Sequence, residues 1–175
     1  MDLNSKLMFK INNAVGKSEL LDAFGRAGAE FVIVAMMGWY VAADFLQNYP
    51  SKHLVFWPLA FFAIAWGLGW VLDLLIGMAT REVRPYASYP NVKLLFKPLT
   101  SWKTFPSDHA MSAFLIFFMA LLFNLPGAGA LLIMALWICW GRVYAGVHYP
   151  LDILGGVAVA AFVYSLSCYI ISVVF

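Results

Sequence analysis

From Ala110 to Gly141 the chain carries no charged side chain. Such a stretch is too long for one ordinary transmembrane helix, which needs about 20 residues to cross the hydrocarbon core of a bilayer. Asn124-Leu125-Pro126-Gly127 supplies turn chemistry near its middle, so the run reads as two antiparallel helices. Charged or turn-forming interruptions set off three further apolar blocks, about Ala27 to Leu46, Leu54 to Ala79 and Ile153 to Phe175. Glu30 and Asp44 bracket the uncharged centre of the first, and Asp73 lies near the end of the second. Barrel strands would alternate apolar and polar residues, whereas these runs are continuous and favour helices. The expected fold is an all-α integral membrane protein with about five transmembrane helices, forming a single membrane-embedded domain over residues 1–175.

Composition agrees. Of the 175 residues, 63% are apolar and only 11% charged, with a mean hydropathy of +0.83. One small core cannot hide that much apolar surface from water, so the bilayer is the chain's first partner. The net charge of +2 gives no footing for a nucleic-acid partner. Cys139 and Cys168 sit in apolar runs without C-x-x-C spacing and read as structural. Residues Met1 to Arg26 carry Lys6, Lys10, Glu19 and Asp22 with no sustained apolar stretch, so no cleaved signal is expected. Leu3, Leu7, Ile11 and Val15 recur every four residues there, which predicts an N-terminal amphipathic helix lying in the interface.

Three polar clusters fall at the ends of different spans and, under a five-span count, on one side of the membrane. The first is Arg81-Glu82-Val83-Arg84-Pro85, where Pro85 disfavours helical geometry at Arg84 and marks a helix end. The second is Phe105-Pro106-Ser107-Asp108-His109; Ser107 and Asp108 are N-cap residues, and first-turn amides attract anions. The third runs from Arg142 to Asp152 and holds His148 four residues before Asp152, with Pro150 between them. A carboxylate that orients one ring nitrogen leaves the other free as a nucleophile. Arg84 and Arg142 carry planar forks that match phosphate oxygens. Each part has a plain reading as well: arginines anchor span ends, Ser-Asp caps helices, and His148 with Asp152 makes a structural pair. A metal site of His109, His148 and Asp152 is disfavoured beside two arginines, and no cofactor is expected. Together the clusters describe a phosphoryl-transfer site.

These residues resemble the type 2 phosphatidic acid phosphatase superfamily of membrane lipid phosphatases, whose signature reads K-x6-R-P, P-S-G-H and S-R-x5-H-x3-D. Arg84-Pro85, Pro106-Ser107-Asp108-His109, and Arg142 with His148 and Asp152 match it in order and spacing. The resemblance implies that His148 attacks phosphorus, Asp152 orients it and His109 protonates the leaving oxygen. It also implies that Arg84, Arg142 and Ser107 hold the phosphoryl oxygens. Three positions depart from the pattern. Gly77 stands where the family has Lys, with Arg81 as a candidate replacement; Gly141 stands for Ser; Asp108 stands for Gly, as a cap or an orienting group.

The P-S-D-H variant, with Phe9-Lys10-Ile11-Asn12 and Ser18-Glu19-Leu20-Leu21-Asp22, looks like the bacterial undecaprenyl-diphosphate phosphatase branch. The implied substrate is a membrane lipid phosphate or diphosphate, and the implied place is the bacterial inner membrane. Tyr86 to Phe105, rich in aromatics and lysines, suits an interfacial loop that meets anionic headgroups. Ten of the eleven Lys and Arg residues fall on the site's side. The positive-inside rule would make that side cytoplasmic, whereas the resemblance makes it extracytoplasmic and is preferred. Asp44 and Asp73 near the spans support a rival reading as a small transporter, and the two glycine departures allow a lipid-binding relative without turnover.

Overall fold

A computed structural model describes residues 1–48, 57–98 and 102–174. Helices account for the regular structure: α1 (Leu3–Asn12), α2 (Glu19–Arg26), α3 (Val32–Asn48), α4 (Trp57–Thr80), α5 (Pro85–Ser88), α6 (Asp108–Leu122), α7 (Ala128–Tyr144) and α8 (Pro150–Val174). A π-helical turn, Ala27–Phe31, joins α2 to α3. The first apolar helix thus starts earlier than expected, because it already begins at Glu19, capped by Ser18, whose side chain accepts from Leu21 N–H. Lys52 and the predicted start of the second span, 54–56, lie outside the described residues, as do positions 99–101 of the interfacial loop.

Among the described residues, apolar helices lie in the expected blocks. Three are long and apolar enough to cross a membrane, Glu19–Gln47, Trp57–Ser88 and Pro150–Val173, and α6 and α7 are shorter apolar helices. Only 33%, 22% and 33% of the apolar windows in the three long helices is buried, so their outer faces are built for lipid. Val34, Ile64, Ile133 and Phe162 point outward. α6 is the central helix: it contacts α3, α4, α7 and α8. Met111, Leu115, Ile116 and Met119 are wholly buried on it, against Met36, Tyr40, Leu131, Ile138 and Val163 of its neighbours.

The N-terminal helix forms, but a different face meets the protein. Leu3 and Leu7 of the apolar stripe are 71% and 43% exposed, turned away from the bundle. Ser5, Met8 and Asn12 are buried instead. The Asn12 amide explains why: it donates to the Lys93 and Tyr144 carbonyls, both at 2.8 Å, and accepts from Lys93 N–H at 2.9 Å. A buried amide that saturates three main-chain groups fixes position better than an apolar contact.

The π turn positions part of the site. Gly141 of α7 lies so close to it that a Cβ there would stand 2.8 Å from Ala29 N and 2.9 Å from Gly25 O. Those are backbone atoms with nowhere to go, so a serine at 141 has no room in this chain. The next residue, Arg142, gains from the approach, since its Nη1 donates to the Ala29 carbonyl at 3.0 Å.

Candidate functional site

The three clusters converge at one end of the bundle. α4 ends and hands the chain to α5, whose N-cap is Arg84 in extended geometry with Pro85 following; α7 ends at Tyr144 and α8 begins at Pro150. Between α7 and α8, Gly146 takes a positive φ of 74°, which turns the chain so that His148 points inward. His148 is 2% exposed.

Two guanidinium groups close on one nitrogen of that ring. Arg84 Nη1 and Arg142 Nη2 each lie 3.4 Å from His148 Nε2. A guanidinium only donates, so Nε2 is the acceptor and the ring proton sits on Nδ1. On that side Asp152 Oδ2 lies at 3.3 Å. Asp152 is wholly buried, and its Oδ2 also accepts from Tyr149 N–H at 2.7 Å and from the Thr104 hydroxyl at 2.5 Å. Thr104 Oγ1 lies 3.3 Å from His148 Nδ1; with its proton given to Asp152, it receives the Nδ1 proton alongside the carboxylate. Burial, with Arg142 and Arg84 adding to it, holds the His148 pKa well below its ordinary value of 6.5. The ring is neutral at physiological pH with its Nε2 lone pair directed into the site.

In front of Nε2 opens a cavity of about 390 Å³, walled by Arg84, Arg142, Asp108, His109 and His148, with Phe96, Lys97 and Pro98 of the loop, and with Ala29 and Glu30 of the π turn. Arg84 Nε and Arg142 Nε are buried without a hydrogen-bond partner among the described residues. Leaving a buried donor unsatisfied costs about 1–3 kcal/mol.

Most expected residues meet here, in different ways. Arg84, Asp108, His109, Arg142 and His148 face the cavity, and Asp152 stands behind the ring. Ser107 caps α6: its hydroxyl accepts from Ala110 N–H at 3.5 Å, and its own N–H donates to the Asp152 carbonyl at 3.0 Å, tying α6 to α8. Arg81 does not join them. It ends α4 with a positive φ of 51°, its exposed guanidinium folds back to the Met78 carbonyl at 3.2 Å, and it forms no part of the cavity wall. The helix-terminating turn directs it outward, so it is no replacement for a cation at position 77. Thr104 carries no charge and belongs to no apolar period, and only its place three residues before the α6 cap hinted at a role.

The PAP2 superfamily matches residues 59–174, a stretch that holds every one of these cavity and backing residues except Ala29 and Glu30. The undecaprenyl-diphosphatase BcrC of Bacillus subtilis is 28% identical over 159 residues, 90% of this chain and 79% of that protein. The bacitracin transport permease protein BcrC of Bacillus licheniformis is 29% identical over 152 residues, 79% of this chain and 74% of that protein. The crystal structure of LpxE from Aquifex aeolicus aligns with a TM-score of 0.72 at 27% identity, covering 97% of this chain and 96% of that one. With the match spanning more than half of the chain and the clustered residues inside it, this multi-pass membrane protein belongs to the PAP2 superfamily of lipid phosphatases.

Proposed function

We propose that the chain hydrolyses a polyprenyl diphosphate to the monophosphate and inorganic phosphate through a phosphohistidine on His148. The observation that carries this reading is the neutral, doubly flanked imidazole, with Arg84 and Arg142 at 3.4 Å from Nε2 and Asp152 behind Nδ1. The Nε2 lone pair attacks the terminal phosphorus, the bridging P–O bond breaks, and His109 gives its proton to the leaving oxygen. The new N–P bond makes the ring cationic, and Asp152 balances that charge. His109 then takes a proton from water, whose oxygen attacks phosphorus; the N–P bond breaks and orthophosphate leaves. Phosphoryl transfer asks chiefly for positioning and for neutralisation of the equatorial oxygens, and the two arginine forks supply both.

Support for a diphosphate comes from the Bacillus subtilis relative's activity and from Lys97 at the cavity, a further cation for a second phosphate. The alternative reading is a different lipid phosphate at the same site, which membership of the PAP2 superfamily allows equally. Release of phosphate from farnesyl or undecaprenyl diphosphate, phosphatidylglycerophosphate, phosphatidic acid and lipid A by the detergent-purified chain, with chelator present, separates them. The prenyl diphosphate is expected to give the highest kcat/KM, and no turnover of it would remove that choice. We place the chain in a bacterial inner membrane with the site on the extracytoplasmic face. Arg84, Lys103 and Arg142 on the site's side are buried and serve the site, which weakens their vote as topology anchors. Hydrolysis of a membrane-impermeant short-chain diphosphate by right-side-out vesicles is the expected outcome, and hydrolysis only after permeabilisation would reverse the orientation.

Transport finds support in the name of the Bacillus licheniformis relative. Asp44 and Asp73, on which that reading rested, are 2% and 0% exposed and do not wall the cavity.

Thr104 is a positioning residue in this account. Thr104→Val removes the hydroxyl between Asp152 and His148 at nearly constant volume, and a hydrogen bond to a charged group is worth about 1.5–3 kcal/mol. A drop in kcat of about tenfold to 100-fold is expected, with Thr104→Ser close to wild type. Equal losses in both variants would assign Thr104 to packing alone.

A further inference from the structure

We infer that Lys103, Asp108 and Gly77 form one electrostatic device, in which Lys103 crosses Gly77 to hold and neutralise the Asp108 carboxylate at the cavity wall. The inference rests on reading the cavity as a phosphate site.

Lys103 is 6% exposed, a rare state for a lysine unless it is paired. Its ammonium donates to Asp108 Oδ1 at 2.6 Å and to the Asp73 carbonyl at 3.3 Å. The stem reaches that position by lying across α4 where α4 has no side chain: a Cβ at Gly77 would stand 2.5 Å from Lys103 Cδ and 3.3 Å from the Phe105 carbonyl. The main chain just after Lys103 is held as well, since Thr104 N–H donates to the Glu82 carbonyl at 3.1 Å. The ammonium is therefore delivered to one place.

Asp108 needs it there. The side chain is 35% exposed and faces the same cavity as Arg84, Arg142 and His148. An uncompensated carboxylate at that wall would oppose a phosphoryl dianion and cancel part of the arginines' attraction. Paired with Lys103 at 2.6 Å, it presents little net charge, and the cavity stays electropositive. Lys103 does not itself wall the cavity, so its effect on the ligand passes through Asp108.

The test is isothermal titration of inorganic phosphate into the detergent-purified full chain. Lys103→Gln should weaken phosphate binding by roughly 30-fold, as expected for one like charge left unscreened a few ångströms from the ligand. Lys103→Gln with Asp108→Gly should return to within about threefold of wild type, because the charge that needed compensation is gone. Gly77→Ala, which displaces the Lys103 stem, offers an independent route should Lys103→Gln fold poorly; it should weaken binding likewise and be rescued by Asp108→Gly. Unchanged binding in Lys103→Gln, or a double variant as weak as the single one, would overturn the pairing, and so would a wild type that binds no phosphate. A wild type that binds phosphate but releases none from lipid substrates would leave the pairing standing and remove the proposed function.

Discussion

Replacing His148 with Ala is expected to lower phosphate release by about 10⁴-fold or more, equivalent to about 5.5 kcal/mol of transition-state stabilisation at about 1.36 kcal/mol per decade. No other group in the cavity can take over. His109 is the other imidazole on the wall, but the arginine pair and Asp152 are built around the His148 ring at 3.3–3.4 Å. Arg84 and Arg142 are also held by main-chain carbonyls, Val147 at 3.1 Å and Ala29 at 3.0 Å, so they stay in place when the ring is removed. The variant should thus still bind inorganic phosphate while failing to turn over, which separates loss of the nucleophile from loss of the fold. The same assignment sets a pH profile. A nucleophile held neutral by burial and two cations stays active as pH falls, so the acid limb that it contributes to kcat/KM lies below pH 6.5. An acid limb above that value, or release that persists in His148→Ala, would contradict the assignment.

Arg84→Lys and Arg142→Lys carry the second large effect. Arg142 gives Nη1 to the chain and Nη2 toward His148 Nε2, Arg84 serves both the chain and Nε2 with its Nη1, and Nε of each is buried and unpartnered among the described residues. An ammonium is a point charge on a shorter stem, without the planar fork that presents these donors, and cannot replace it. Removing one preorganised donor from a developing oxyanion costs about 10²–10³ in kcat, or about 2.7–4 kcal/mol. A loss of that size is expected for either substitution, with inhibition by vanadate, which adopts the five-coordinate geometry of the transition state, weakened in parallel. A kcat within tenfold of wild type for both variants would show that the arginines anchor the chain ends and little else.

Much of this was legible because charge is so scarce. With 11% charged residues, the charged clusters at 81–84, 107–109 and 142–152 stand out and mark helix ends. Ser107, Gly127 and Pro150 stand at or beside the starts of α6, α7 and α8, and Arg84 leads into α5 through Pro85. The residues at the cavity, and Asp152 behind them, follow from the same scarcity: Arg84, His109, Arg142, His148 and Asp152 stand beside long apolar runs.

What could not be read depends on contacts between distant segments. The unbroken helix from Glu19 through the π turn is disguised by Asp22, Arg26 and Glu30. Those charges are accommodated by specific partners, Asp22 by the Tyr144 hydroxyl at 2.5 Å and Arg26 by Glu30 at 2.6 Å. An apolar stripe put Leu3 and Leu7 of α1 first, yet Asn12 made the decisive contacts, because a polar side chain's worth depends on which carbonyls the fold brings to it. Gly77 and Asp108 were visible as departures from the signature, one a missing cation and the other an added carboxylate. Only the geometry shows that they are connected, through a lysine that local patterning assigned to the interfacial loop.

The central claim is a covalent phosphohistidine on His148, and the most direct measurement is to trap it. Wild-type protein mixed with a terminally ³²P-labelled prenyl diphosphate and quenched within the first turnover should carry label on the peptide containing His148, stable in alkali and labile in acid, as a phosphoramidate is. Label absent from that peptide while phosphate is still released, or present in His148→Ala, would contradict the account.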